Sequence, residues 1–435
     1  MKSYPQCFKK ILLPLIAIMT FSQSGMAAAV ELSLDDSVNL ALKNNQTVQI
    51  AEVNKEKAAW AVKEAKAGKG VKVNFNHTTT RSDAPPTWLD SSVYSTVPAY
   101  NYFSNRLSAD LPLYTGGKLE SGIDQAKLSL QGADLNIAAT KQEIKLSATT
   151  AYFRVLQTRN LLEIAKQTTD DFSGHLDNVQ IMYDTGTIAL PDVLQTKVRL
   201  ANAQDSLVKT QNNYDLAVYN LNNIMGLPLR NEITLKENLA YHKYTISLDD
   251  SISYALAHRA EIDQAQVNIN IAKDQIKIEQ SDKYPTVVLN GTNAWHDTNS
   301  QFIGTKNSNW TVSLSAQFNV FDSGSTDAQI KQARSSVSIA EKQARQNKDN
   351  ISLEVSSAYL SLREAEKRMT TSTVAVEEGK LNFDIAKERY SAGLGTNLDV
   401  VDAELALAQT KTNYIQALYD YNTSKAQLDK AMGIE

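Results

Sequence analysis

The side chains best placed for electrostatic work lie in a segment that occurs twice. Tyr183 to Leu194 (YDTGTIALPDVL) and Tyr390 to Val401 (YSAGLGTNLDVV) both read tyrosine, two residues, glycine, and then, six positions after the glycine, Asp192-Val193 or Asp399-Val400. Asp402 adds another carboxylate one helical turn further on. In each copy the glycine ends one helical pattern and the aspartate opens the next, a position where an acid stabilises the positive end of a helix. Chemistry of other kinds finds no support. His77, His175, His242, His258 and His296 stand in unrelated contexts without metal-ligand spacing, and no phosphate loop, nucleophile elbow or cysteine cluster occurs. These residues speak against an enzyme and call for no metal or cofactor.

The chain begins with Lys2, Lys9 and Lys10, continues with the apolar run Ile11 to Phe21, and reaches small residues at Ala27, Ala28 and Ala29. This reads as a secretory signal peptide over residues 1–29, since the apolar run is short for a membrane anchor and no basic stop-transfer cluster follows. The single cysteine, Cys7, would leave with it, so the exported chain would carry no thiol and no disulfide. Loss of three lysines takes the formal charge from −4 to about −7, which argues against a nucleic-acid partner. Glycine and proline total only 17 and 9 in 435 residues, a composition that favours long helices over compact loop-rich domains.

The duplication covers almost everything after the leader. Leu34-Asp35-Asp36-Ser37 returns as Leu248-Asp249-Asp250-Ser251, Ala151-Tyr152 as Ala358-Tyr359, and Met225-Gly226 as Met432-Gly433. The organisation read from these pairs is a first repeat over 30–228, a linker over 229–247 and a second repeat over 248–435. Each repeat opens with an amphipathic helical pattern, Leu34 to Ala67 and Leu248 to Asp282. The period then falls to two, giving strands at about 71–81 and 104–113, and at about 285–295 and 309–320. One face of these strands is apolar and the other polar, as in a membrane barrel or in a soluble hairpin with one buried face. Aromatics favour the membrane, for Trp88, Tyr94, Tyr100, Tyr102 and Phe103 populate the first loop and Trp295 and Trp310 bracket the second. Lys118 to Asp184 and Ser325 to Ser391 then read as helices long enough to span roughly 100 Å, followed by a tight turn and a return helix.

Four strands cannot close a barrel, and an open edge in lipid leaves backbone groups unsatisfied, so copies of the chain must assemble. Here the residues resemble the TolC-type outer-membrane channel proteins of efflux and export systems. The resemblance rests on the duplicated unit, the strand-to-helix corner Leu111-Pro112-Leu113-Tyr114-Thr115-Gly116-Gly117, and the two Tyr-x-x-Gly turns with Asp-Val six residues later. It implies a mainly α fold with a small membrane β-barrel: a homotrimer whose twelve-stranded outer-membrane barrel continues into a periplasmic α-helical coiled-coil tunnel. It also implies a passive exit duct that serves efflux or type I secretion, docks a periplasmic adaptor and receives cargo from an inner-membrane RND, ABC or MFS transporter.

By the same resemblance, the two turns form the periplasmic entrance, which closes like an iris. Asp192, Tyr390, Asp399 and Asp402 are the gate candidates, and Gly186, Thr187, Leu190, Gly393, Leu394 and Gly395 form the tips that meet the adaptor. In a trimer each aspartate becomes a ring of carboxylates that favours cations, while helix N-terminal stabilisation stands as the alternative role for Asp192 and Asp399. The family's gate arginine is replaced by Gly395, which leaves Tyr390 as a candidate for the missing contact. Trp88, Phe103, Trp295 and Trp310 are the expected membrane-interface aromatics, in contact with outer-membrane lipid. A rival from another class is a periplasmic coiled-coil adaptor or scaffold without a pore, though such a protein has no use for four amphipathic strands.

Overall fold

The computed structural model describes residues 30–82, 100–297 and 308–434. The first repeat contains β1 (Val30–Leu32), α1 (Leu34–Asn44), α2 (Gln46–Ala67), β2 (Lys72–Ser82), β3 (Tyr100–Tyr114), α3 (Lys118–Asp184) and α4 (Leu190–Ile224). After β4 (Ile233–Leu235), the second repeat supplies α5 (Leu248–His258), α6 (Ala260–Ser281), β5 (Thr286–Asp297), β6 (Ser308–Gln317), α7 (Ser325–Ser391) and α8 (Asn397–Met432).

Each opening helical pattern, expected as one continuous helix, is broken in two, and the reason is tertiary. Asn45 takes an extended conformation (φ −66°, ψ 128°), ends α1 and caps α2 by accepting from the Thr47 N–H. Its Nδ2 donates to the Ile224 carbonyl at 3.0 Å and Asn44 Nδ2 to the Met225 carbonyl at 3.3 Å, so the break satisfies carbonyls at the C-terminal end of α4. In the second repeat Arg259 occupies the same kind of break (φ −75°, ψ 129°) and donates to the Ala431 carbonyl near the end of α8. Each return helix thus closes on the hinge of its own repeat's opening helices. Arg259 is buried and also donates to Glu261 and Glu354. Burial pulls its guanidinium down, but those two carboxylates outweigh it and raise the pKa above the usual arginine value.

Strands β2, β3, β5 and β6 form a four-stranded antiparallel sheet in that order. Register matches Val73 with Ala109, Phe75 with Leu107, Leu289 with Leu111 and Leu314, and Gly291 with Val312. Because paired residues share a face, one face collects these apolar side chains, together with Trp310, and the other collects Asn74, Ser108, Asn290 and Ser313. On that polar face Asn290 donates to Asp110 at 2.7 Å. The apolar face is uncovered: Val73, Val312 and Leu314 are each more than 60% exposed. A water-soluble sheet buries such a face, whereas a barrel wall turns it to lipid.

Gly116 and Gly117 sit where the sheet meets α3. Gly116 has φ +64°, and a Cβ there would lie 2.6 Å from the Ser281 carbonyl oxygen, so a side chain is refused on both counts. Away from the sheet, α3 packs with α4 and α7 with α8. The main core gathers Tyr152, Val155, Leu156, Leu221 and Met225 under Leu32, Ile233 and Leu235, where β1 pairs in parallel with β4. A second core, around Val355, Leu362, Tyr421 and Leu428, does the same for α5, α7 and α8.

Candidate functional site at the paired helical turns

Helices α3 and α7 are 67 residues each, so their far ends lie roughly 100 Å from the sheet. Both end in the same left-handed C-cap motif. Thr187 N–H bonds to the Met182 carbonyl at 2.8 Å and Gly186 N–H to Tyr183 at 2.9 Å; Leu394 bonds to Arg389 at 2.8 Å and Gly393 to Tyr390 at 3.0 Å. Gly186 and Gly393 hold φ of +77° and +72°, which explains the glycine three residues after each tyrosine.

The helices that leave the turns start differently. Helix α4 has Ala189 at its N-cap with no side-chain bond, and begins with Leu190 and Pro191. Helix α8 has a capping box: Thr396 Oγ1 accepts from the Asp399 N–H at 3.2 Å and Asp399 Oδ2 accepts from the Thr396 N–H at 2.9 Å. The Thr396 backbone bond first, then its hydroxyl, and then nearby Arg389 hold the Asp399 carboxyl below the usual carboxylate range. Asp399 and Asp402 are exposed, and Asp192 is half-buried.

Tyr390 behaves differently from the tip residues around it. It is buried with Val179, Val193 and Val400 in a small core that binds the two turns to each other. Burial and then the negative charge of Asp192, the residue before Val193 of this core, push its phenol up. The Tyr390 ring meets His175 edge-on with centroids 5.3 Å apart. His175 Nε2 donates to Asn397 Oδ1 at 2.7 Å; Thr196 Oγ1 donates to the same oxygen at 3.3 Å, and Asn397 Nδ2 donates to the Asp192 carbonyl at 3.3 Å. Burial lowers the His175 pKa, opposed by the bond to Asn397. This polar buckle joins α3, α4 and α8.

Sequence reasoning missed the buckle, because His175 and Asn397 belong to no shared motif and approach only when the repeats pack. Arg389 was missed too. Its Nη2 donates to the Leu394 carbonyl at 3.3 Å, which puts an arginine side chain at the turn that contains Gly395. A Cβ at Gly395 would meet the Tyr390 nitrogen at 3.3 Å and Arg389 atoms at 3.4 Å, so this corner is already closely filled. Among the described residues no group of histidine, cysteine, aspartate or glutamate is arranged to hold a metal.

At the sheet end, Trp310 is 77% exposed on β6. Trp295 is half-buried and packs on Phe75 with centroids 6.0 Å apart, and Phe103 stacks on His77 at 6.3 Å. Trp88 lies outside the described residues.

A model of the family described as "Outer membrane efflux protein" matches residues 37–227 and 251–434, one stretch in each repeat. The chain belongs to the outer membrane efflux protein family. Among curated relatives, it is 23% identical to Outer membrane protein TolC of Vibrio cholerae serotype O1, over 98% of this chain and 95% of that one. It is also 23% identical to Alkaline protease secretion protein AprF of Pseudomonas aeruginosa, over 93% and 85%. Its fold matches the crystal structure of the outer membrane protein VceC from Vibrio cholerae with a TM-score of 0.75 at 19% identity, covering 92% of this chain and 96% of that one. This family member is therefore an outer-membrane channel protein of the TolC type, in a family of channels rather than enzymes. The adaptor or scaffold alternative finds no support in these relationships.

Proposed function

We propose that the chain is the exit duct of a tripartite efflux or type I secretion system, working as a homotrimer. The observation that carries this reading is the four-stranded sheet whose edge strands, β2 and β6, have no further partner among the described residues and whose apolar face is bare. Unpaired edges are not tolerated in lipid. Two chains would close eight strands, a barrel filled by its own side chains, whereas three close twelve around an aqueous lumen. Efflux and secretion names both occur among the relatives, so each remains within this reading.

The duct itself is passive, and an inner-membrane RND, ABC or MFS transporter does the work. A periplasmic adaptor docks on the tips formed by Gly186, Thr187, Leu190, Gly393, Leu394 and Gly395. The gate lies just inside, at Asp192 and Tyr390, and Asp399 and Asp402 present carboxylates to the axis.

The barrel reading is tested with engineered cysteines, since the chain has none after residue 7. Asn76→Cys on β2 is combined in turn with Asn309→Cys, Thr311→Cys or Ser313→Cys on β6. Oxidation in outer membranes should give a covalent trimer for at least one register. Recovery of monomer alone across the set would sink the closed-barrel reading.

A further inference from the structure

Between α3, α7 and α8, beside the two turns, lies a cavity of about 450 Å³. Its wall is apolar where Phe172, Met182, Phe383, Tyr390 and Val400 converge. Glu404, from the second turn of α8, also lines it and is only 4% exposed. Among the described residues, neither Glu404 Oε2 nor the Tyr390 hydroxyl finds a hydrogen-bond partner. A buried carboxylate oxygen without a donor is strongly unfavourable unless a cation or a proton reaches it. Asp170, Asp171 and Glu388 add carboxylates at the rim, against the single cation of Lys387.

We propose that this cavity binds an amphipathic organic cation, a quaternary or protonated amine with an aromatic body, with Glu404 as its buried counter-charge. The volume falls in the range of small-molecule pockets, and the lining pairs an apolar side, Phe172, Met182, Phe383 and Val400, with an acidic one, Asp170, Asp171, Glu388 and Glu404, the two surfaces an amphipathic cation requires. Three aromatic residues, Phe172, Phe383 and Tyr390, are among the lining, and aromatic rings attract cations. A small inorganic ion would find only one buried carboxylate and would leave the apolar wall wet. An anion would meet the unpaired Glu404 oxygen. The site lies off the four gate candidates, except that Tyr390 serves both, so an occupant would bridge α3, α7 and α8 where the two repeats are buckled.

The natural competitor is a proton. Burial, then the charge of Asp171, raises Glu404 to about 7, with Lys411 and Lys387 opposing. The titratable and charged groups around it are Asp170, Asp171 and His175 from α3, Lys387, Glu388 and Tyr390 from α7, and Lys411 on its own helix. A ligand with a fixed charge must therefore bind better as Glu404 ionises.

Ethidium keeps its charge between pH 6 and pH 8 and reports binding by fluorescence, so it is the probe for the purified full chain in detergent. The dissociation constant should weaken about tenfold from pH 8 to pH 6, the span in which Glu404 gains its proton. Glu404→Gln, which keeps the shape, should bind about tenfold more weakly at pH 8 and lose the pH dependence, while Glu341→Gln, an exposed acid elsewhere on α7, should bind like the parent. Phe383→Leu should weaken binding without removing the pH dependence, which separates the ring from the charge. Absence of one saturable site per chain, or equal affinity in Glu404→Gln and the parent at pH 8, would overturn the proposal.

Discussion

His175 Nε2 and Asn397 Oδ1 lie 2.7 Å apart, joining the last third of α3 to the first residue of α8 across 222 positions of sequence. Asn397 is 3% exposed and answers three partners at once, His175, Thr196 and the Asp192 carbonyl. One amide therefore couples the two repeats at the end of the molecule where they must separate if the entrance is to widen.

Asn397→Ala removes all of those bonds and leaves buried groups unsatisfied, at a cost of roughly 1–3 kcal/mol. The expected outcome is faster amide hydrogen exchange in both turns with the main core unchanged, and a larger conductance of the reconstituted pore. Unchanged exchange at the turns would show that apolar packing around Tyr390 suffices to hold them.

The two roles of Asp399, cap and ring, come apart by choice of substitute. Asp399→Asn keeps an acceptor for the Thr396 N–H, whereas Asp399→Ala loses that half of the capping box and keeps only the bond from the residue 399 N–H to the Thr396 hydroxyl. Both, when combined with Asp402→Asn, should lower the cation selectivity of the reconstituted pore, read as a shift in reversal potential across a salt gradient. If selectivity follows only the alanine variant, the carboxylates act through the helix end and not through the axis.

Glycine substitutions should divide by their surroundings. Gly393→Ala meets nothing within 4 Å and suffers only the left-handed backbone, about 1–2 kcal/mol, so the channel should assemble with a looser turn. Gly116→Ala adds a 2.6 Å contact with the Ser281 carbonyl and should prevent docking of the sheet on the helices. Heat-resistant oligomer on gels distinguishes the two outcomes.

Removing the buried guanidinium by Arg259→Ala leaves Glu354 beside Lys430 alone and exposes the α5–α6 hinge. Buried pairs lose about 3–5 kcal/mol when broken, and the partial exposure of both glutamates puts this case toward the lower end. In the parent, burial raises the Glu261 and Glu354 pKa values, but the bonds to Arg259 dominate and hold them below the usual range. Their contribution is therefore present above the ordinary glutamate pKa and is lost as pH falls below it, so acid should erase the difference between the parent and Arg259→Ala in thermal unfolding.

Glu404 should show the opposite sign. Its pKa rises from 4.5 to about 7 on folding, so the folded state holds the extra proton between those values and the turn region loses stability as pH climbs through that window. Glu404→Gln should flatten this dependence, read as hydrogen exchange of α8's first turns from pH 5 to pH 8. Persistence of the slope in that variant would assign it to another group.

Much of the molecule was legible in the chain because its architecture is repetitive and its periods are strong. Sixty-seven-residue helices, the switch to a two-residue alternation, and glycine three residues after Tyr183 and Tyr390 are local features with local physical causes, and duplication repeats each of them. What local pattern cannot convey is which distant groups meet. The breaks at Asn45 and Arg259 exist because carbonyls at the ends of α4 and α8 need donors there, and helical periodicity runs straight through both positions. Tyr390, a gate candidate from its place in the repeated turn, is buried where the two repeats pack. His175, Asn397 and Glu404 look like ordinary polar residues on solvated helices until packing removes their water. The sequence by itself determined the elements, their order and their amphipathic faces, since these follow from near-neighbour sterics and periodicity. Only the tertiary structure decided which polar groups were buried and paired, and which, Glu404 and Tyr390 among them, were left with an oxygen unanswered, because desolvation depends on what the rest of the chain brings alongside.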